Sequence, residues 1–208
     1  MALDLEEQEQ VDELKALWKK YGNYITRGAI AFFVLYGLFQ GWGYYQNKQS
    51  LSASELYQSI VVLDEKNTKE IIEKSQRLID DYSGTPYAGR AAILFAKASY
   101  ADGAKDKAKE KLEWASRHAK ESATESIALI QLGQILLEEK KYDEALKKAN
   151  AVDNEGYLGL SNDLKGDVLN AMGKKEDAKK AYLEALKRFG PKDAYARFTQ
   201  EKLESLGV

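Results

Sequence analysis

Hydrophobic positions follow one pattern up to about residue 48 and another beyond it. Arg27 is the last charged residue before Lys48, so twenty consecutive positions carry no charge. Large apolar residues in this stretch fall on every side of a helix axis, with Gln40 the only strongly polar side chain among them. Twenty helical residues at about 1.5 Å each match a hydrocarbon core about 30 Å thick. The pattern therefore predicts a transmembrane helix over residues 24–45.

Residues on either side of this stretch predict its orientation. Aromatic rings, which favour the headgroup region, border it at Tyr24 and Trp42. Four basic residues precede it: Lys15, Lys19, Lys20 and Arg27. On the other side only Lys48 lies close. The positive-inside rule then predicts a cytoplasmic N-terminus and places residues 46–208 across the membrane, which in a bacterium is the periplasm.

Residues 1–23 are predicted to form a cytoplasmic amphipathic tail. Val11, Leu14, Leu17 and Tyr21 recur at helical spacing, with acids and lysines between them. This helix either lies on the membrane surface, docks against a partner, or is simply a solvated helix that runs into the anchor. The sequence leaves these alternatives open.

A glycine pair lies within the predicted transmembrane helix. Gly37 and Gly41 form a G-x-x-x-G pattern, and such small residues let two helices approach closely in lipid. One interpretation is a packing face for another membrane protein. The other is that glycine is simply common in spanning helices, and both stay open.

Beyond Lys48 the chain repeats with a period close to that of tetratricopeptide repeats. Three segments align on Ala108, Ala145 and Ala178, with separations of 37 and 33 residues against a typical period of about 34. A small residue stands twelve positions before each alanine: Ala96, Gly133 and Gly166. Small residues there let the two helices of a pair cross closely. The pattern predicts three to four helix pairs in a tetratricopeptide-like solenoid over residues 46–208.

Further helices are predicted at both ends of the solenoid. A degenerate first pair would join residues 51–63 to residues 68–82, with Thr68 as an N-cap. Pro86 and Pro191 each suit the first turn of a following helix. A final helix would cap the open end with four apolar side chains: Tyr195, Phe198, Leu203 and Leu206. The expected fold class is all-α.

Composition argues against an enzyme. The chain has no cysteine and one histidine, His118, so neither a thiolate nor a convergent set of metal ligands is expected. Its carboxylates alternate with lysines along helix faces, which is typical of solvated charge. A net charge of −2 also gives no field that would attract nucleic acid. We expect a protein without catalytic residues, cofactor or metal.

Several motifs in order give the chain a family resemblance. They are VDELKALWKKYGN at residues 11–23, GWGYY at 41–45, Gly156-Tyr157, and DLKGD at 163–167. In this order the chain resembles, over its whole length, the YfgM-like family of ancillary subunits of the bacterial SecYEG translocon. Lys165 and Asp167 depart conservatively from the family pattern.

The resemblance implies a non-catalytic protein of the bacterial inner membrane. Its partners would be the SecYEG translocon, a membrane-anchored periplasmic chaperone like PpiD, and unfolded secreted proteins. It implies that the repeats link protein export to periplasmic chaperones. The alternative is a cell-envelope scaffold that organises wall or division proteins through the same repeats.

The first helix of each pair is expected to line a binding groove. Five residues of these helices are the candidate partner-binding residues: Tyr100, Gln131, Gln134, Asn162 and Asp163. Gly37 and Gly41 are the candidates for helix packing in the membrane.

Overall fold

The computed structural model describes residues 2–190 and 193–207, with side chains from residue 7 onward. The described residues form helices and turns without a strand, as expected for an all-α chain. The α-helices are α1 (Ala2–Val61), α2 (Thr68–Asp81), α3 (Pro86–Ala101), α4 (Lys105–His118), α5 (Ser122–Glu138), α6 (Tyr142–Asn150), α7 (Leu158–Ala171), α8 (Lys175–Arg188) and α9 (Ala194–Ser205). A short 3-10 turn, Glu155–Tyr157, precedes α7. The chain divides after Lys48 into an N-terminal unit and a repeat unit.

In the N-terminal unit, α1 exposes its large apolar side chains along its length. Between Ile30 and Phe39, eight such side chains are each more than half exposed. Among the described residues, no helix has both the length and the apolarity that crossing a membrane requires. The transmembrane helix over residues 24–45 is therefore not confirmed here and stays a prediction, as does the placement of residues 1–23 and 46–208 on opposite sides.

The repeat unit is built from successive helix pairs, α3 with α4, α5 with α6, and α7 with α8. The three aligned residues Ala108, Ala145 and Ala178 are completely buried, which confirms the predicted repeat register. A Cβ atom on Gly133 would lie 2.7 Å from Leu164 Cδ2 and 3.5 Å from the carbonyl oxygen of Ala145. Glycine therefore leaves room for the Leu164 side chain where α5 contacts both its own pair and the next one.

Tyr182 fills the interior of the last helix pair. Its ring packs on Gly166, within its own pair. A Cβ atom on Gly166 would overlap that ring. Tyr182, the largest completely buried side chain among the described residues, thus occupies the space that a glycine leaves open.

The predicted first pair is also present. The last turns of α1 bury Ala53 and Ile60 in a cluster with Leu78 and Ala91, from α2 and α3. The prediction of Thr68 as an N-cap was wrong by one residue: Thr68 begins α2, and Asn67 is the N-cap, with no side-chain hydrogen bond to the helix.

At the other end, α9 completes the stack as expected, with a different set of contacts. Pro86 begins α3 as predicted, while Pro191 lies outside the described residues. Leu206 is buried, but Tyr195 and Phe198 are about half exposed. Within α9 itself the buried residue is polar: Thr199.

Candidate partner-binding groove

A concavity of about 290 Å³ lies between α3 and α5, the first helices of two successive pairs. Its lining residues are Ala96, Lys97, Tyr100, Leu112, Gln131, Gln134, Ile135 and Glu138. We call this concavity the groove. The apolar part of its lining comes from Ala96, Leu112 and Ile135, each nearly inaccessible to water. The groove thus combines apolar surface with polar and charged side chains.

Three of the five predicted binding residues meet in the groove: Tyr100, Gln131 and Gln134. Gln131 and Gln134 are three residues apart on α5, so their side chains lie on neighbouring sides of one turn. Within the described residues, neither side-chain amide has a hydrogen-bond partner among the protein atoms. Each amide can donate and accept, as a peptide group does, so the pair is open to an added chain.

Charged groups at the groove are neutralised within the protein. The Tyr100 hydroxyl donates to Glu138 Oε2 at 2.5 Å, and Lys105 Nζ donates to the same oxygen at 2.9 Å. The bond from Tyr100 contributes most, and the bond from Lys105 next, to holding the pKa of Glu138 below its ordinary value. Lys97 Nζ lies 2.6 Å from Glu65 Oε1. A ligand therefore meets mainly apolar surface and amides, with little net charge.

Asn162 and Asp163 do not line the groove. Asp163 Oδ1 accepts from Thr199 at 2.7 Å, and Asp163 Oδ2 accepts from Lys202 at 2.6 Å. Lys202 also donates to Asp167 Oδ2 at 2.7 Å. The Asp163 carboxylate is thus occupied in holding α9 against α7. Asn162 Oδ1 has a long contact of 3.4 Å with Lys165 Nζ, and the assignment of both residues to partner binding stays a prediction.

Asp163, Asp167, Thr199 and Lys202 form a polar cluster between α7 and α9. Burial acts in opposite directions on the pKa values of its acid Asp167 and its base Lys202. It raises the pKa of Asp167 above its ordinary value, and this outweighs the hydrogen bond from Lys202. Burial and the neighbouring Asp167 likewise raise the pKa of Tyr182, whose hydroxyl donates to Asp167 Oδ1 at 2.8 Å. For Lys202, burial disfavours the charged form, but hydrogen bonds to Asp163 and Asp167 raise its pKa overall.

Sequence reasoning missed Glu138 and Lys97 as parts of the groove. Glu138 follows Gln134 by four residues, so helical periodicity could have placed both on one face. Lys97 could have been found through the repeat alignment, since it follows Ala96 as Gln134 follows Gly133. Among the described residues no group of three or more His, Cys, Asp or Glu side chains is placed to hold a metal ion.

The paired helices, the alanine and glycine register and the groove define a helical-repeat protein of the tetratricopeptide type. The family model described as a tetratricopeptide repeat-like domain matches residues 15–208. The chain belongs to the tetratricopeptide repeat-like family of ancillary SecYEG translocon subunits, by this match and by similarity to curated relatives of that name.

These relatives are similar along nearly their whole length. The chain is 31% identical to the ancillary SecYEG translocon subunit of Neisseria gonorrhoeae, covering 99% of this chain and 100% of the relative. It is 29% identical to that of Haemophilus influenzae, covering 89% and 91%. It is 23% identical to that of Escherichia coli, covering 97% of each. No solved structure matches the chain significantly.

Proposed function

We propose that this protein is a non-catalytic ancillary subunit of the SecYEG translocon that links protein export to periplasmic chaperones through its repeat unit. The observation that carries this proposal is the end-to-end similarity to relatives named for that role, the first of which is matched over 100% of its length. A family whose named members are ancillary subunits gives no reason to expect catalysis. The groove supplies a surface suited to protein binding.

The segment over residues 24–45 is proposed to anchor the protein in the bacterial inner membrane, with the N-terminus in the cytoplasm and the repeat unit in the periplasm. Support comes from the exposure of its large side chains. Phe33, Leu35, Leu38 and Phe39 are each 67–75% exposed on a single helix. Apolar surface of this extent is unfavourable in water and is stabilised when lipid or another protein covers it.

Gly37 and Gly41 are proposed to pack against a helix of the translocon. A Cβ atom added at either position would meet nothing within 4 Å. This side of α1 is therefore open to close approach by a second helix, which small residues favour in lipid.

In the groove we expect an extended segment of a partner to bind. The amides of Gln131 and Gln134 would bond its backbone, and one of its apolar side chains would lie on Leu112 and Ile135. A membrane-anchored chaperone like PpiD and unfolded secreted proteins are the proposed partners. Anchoring in one membrane raises the effective concentration of such a chaperone, so a modest affinity suffices.

Site-specific photocrosslinking in intact membranes tests both ends of this proposal. A photoreactive residue at Leu38 should give adducts with a translocon subunit, and one at Gln134 should give adducts with a periplasmic chaperone. The matched control is Lys147, which is exposed on α6, a second helix of a pair. Capture of wall or division proteins from Gln134, with no translocon adduct from Leu38, would replace the proposal with the envelope-scaffold function.

Removing the two groove amides gives a quantitative version of this test. Gln131→Ala combined with Gln134→Ala should weaken chaperone binding about tenfold, because two hydrogen bonds each contribute roughly 0.5–1.5 kcal/mol. Binding of the purified full-length variant to the chaperone would be measured by titration. Lys147→Ala serves as control and should bind as the parent does. Equal affinity of all three proteins would contradict the assigned groove.

A further inference from the structure

The N-terminal unit contains a second apolar surface with a period different from that of an ordinary amphipathic helix. Val11, Leu14, Trp18, Tyr21 and Ile25 are separated by three, four, three and four residues. We call these five residues the seam. Each is exposed, from 45% at Tyr21 to 68% at Leu14. Alternating steps of three and four repeat every 3.5 residues on average, which is the spacing of helices that coil around one another.

The same spacing continues toward the C-terminus of the unit. The next positions are Gly28, Phe32, Leu35, Phe39 and Trp42. Together with the seam they give ten successive heptad core positions, nine of them large and apolar. In residues 28–42 most neighbours are apolar too, so the seam at residues 11–25 carries the stronger signal.

Charges in the tail avoid the seam. From Glu9 to Lys20, every charged residue except Lys15 occupies one of the three outward heptad positions. These outward residues are Glu9, Asp12, Glu13, Lys19 and Lys20. Lys15 lies directly beside the seam. A helix that was merely solvated would have no reason to keep its charges to one side, whereas a helix whose other side is covered does.

The flanking positions permit a second copy of this chain as the partner. In a parallel, in-register pair, the residue before one core position faces the residue after the next core position of the other helix. Lys15 would then face the second copy's Gln10, and Leu17 would face the second copy's Gly22. No like charges meet across this interface. Identical seams in register are also self-complementary, as a two-fold interface requires.

Trp18 is already arranged for such packing. Its indole lies over Gly22, where an added Cβ atom would be 3.0 Å from the ring atoms Cδ2 and Cε2. A Cβ atom at position 22 would press on the ring, which would have to shift by a few tenths of an ångström. The glycine therefore lets the indole lie flat along the helix, with its other face available to a partner.

From these observations we propose that α1 forms a parallel, in-register homodimer through the seam. The proposal goes beyond the ancillary role and does not depend on the groove. It also leaves the other side of the helix open. The mean direction of Phe32, Leu35, Phe39 and Trp42 can be compared with that of the two glycines around the helix axis. At about 100° per residue, Gly37 and Gly41 lie roughly 160° from it. One face can therefore bind a second copy while the other packs against a different membrane helix.

The absence of cysteine from the chain permits a direct test. Single cysteines would be placed at Leu14 and Tyr21 in the seam, and at the outward neighbours Glu13 and Lys20 as matched controls. The full-length protein in membranes would then be oxidised mildly. A disulfide-linked product of twice the 23.4 kDa chain mass should form at least about fivefold more at the two seam positions, where like residues adjoin across the interface.

Other crosslinking patterns would overturn the proposal. Equal yields at all four positions, or no product of doubled mass, would mean that the seam does not join two copies. A product at one seam position but not at the other would indicate an antiparallel pair and exclude the in-register one. Adducts with a different protein would assign the seam to that protein.

A second variant separates dimerisation from folding and from the proposed function. The double variant Leu14→Lys, Tyr21→Lys should be monomeric when its mass is measured by sedimentation in detergent. The thermal unfolding of its repeat unit should stay unchanged. Chaperone adducts from Gln134 should persist in this variant. A dimer that persists with both lysines would contradict the proposed homodimer interface. Absence of chaperone adducts from Gln134 in the parent protein would contradict only the proposed function of the groove.

Discussion

The inner helix pairs and the C-terminal end of the repeat unit are held together by different kinds of contact. From α3 to α6 the interior is mainly apolar, and Leu112, Leu132 and Leu136 belong to one continuous core that extends to α7. At the C-terminal end the buried apolar cluster is much smaller. Its members are Ala178, Tyr182 and Leu206. A polar cluster of Asp163, Asp167, Thr199 and Lys202 lies beside it.

The difference follows from the position of each helix in the stack. An inner helix has neighbours on both sides, so apolar burial is the main contribution that holds it in place. The helix α9 has the stack on one side only, and the buried residue within it is Thr199. Two carboxylates on α7 fix its register by binding Thr199 and Lys202. Polar contacts thus provide at the end of the stack the specificity that packing provides inside it.

The largest test of this comparison is a cavity in each region. Leu112→Ala should lower the free energy of unfolding by about 2–5 kcal/mol, because Leu112 is 1% exposed and its neighbours on all sides cannot collapse into the space. Leu206→Ala should cost less, since a terminal segment can shift inward. Chemical denaturation of the two full-length variants measures both. Equal losses would mean that the end of the stack is packed as tightly as its interior.

A second test concerns the close contact between Gly166 and the Tyr182 ring. Gly166→Ala should lower the free energy of unfolding by about 1–3 kcal/mol, because the added methyl group and the buried ring cannot occupy the same space. Gly84→Ala is the control, since a Cβ atom there meets nothing within 4 Å. Hydrogen exchange should show the loss of protection in α7 and α8. Equal stability of both variants would contradict this account of the glycine.

The repeat register could be predicted from sequence because it depends on local spacing. Ala108, Ala145 and Ala178 recur with their small partners at fixed distances, and each helix pair satisfies the pattern within about 34 residues. The position of the N-cap was less determined. Asn67 and Thr68 are adjacent and both are favourable capping residues, so only the backbone conformation distinguishes them.

The groove was predictable only in part, for a related reason. Tyr100, Gln131 and Gln134 were placed on the first helices of their pairs by the repeat spacing, and the structure brings them together. Asp163 was chosen by the same reasoning, but its partner Lys202 is 39 residues further along the chain, on α9. No local pattern announces that contact, because it depends on how the last helix turns back onto α7.

A third, smaller test removes the polar contact at the end of the stack. Lys202→Met should lower the free energy of unfolding by roughly 1–2 kcal/mol, because Asp163 and Asp167 lose a charge-assisted donor while water still reaches the site. A double-mutant cycle with Asp163→Asn isolates the pair. The matched inner change is Lys105→Met, where both groups of the ion pair are nearly half exposed and the loss should be under about 1 kcal/mol. The reverse order would contradict the comparison.

The smallest effect is expected in the pH dependence, where one acid from each region behaves oppositely. In the inner region, Lys109 Nζ lies 2.5 Å from Glu139 Oε1, and Lys141 Nζ lies 2.8 Å from Oε2. Hydrogen bonds from Lys109 and Lys141 lower the pKa of Glu139 from 4.5 to about 2. Glu139 therefore stabilises the fold above pH 4.5, and this contribution is lost as the pH falls toward 2.

At the end of the stack the sign is reversed for Asp167, because burial raises its pKa above the ordinary value of 3.8. The Asp167 carboxylate therefore binds a proton more readily in the folded protein than in the unfolded chain. Its contribution to the free energy of unfolding becomes more favourable as the pH falls through its pKa. Urea unfolding at a series of pH values measures both effects. The stability advantage of the parent over Glu139→Gln should shrink between pH 4.5 and 2, while its stability relative to Asp167→Asn should improve on acidification. Parallel curves for the two variants would mean that the inner ion pairs and the terminal polar cluster do not differ in their electrostatics.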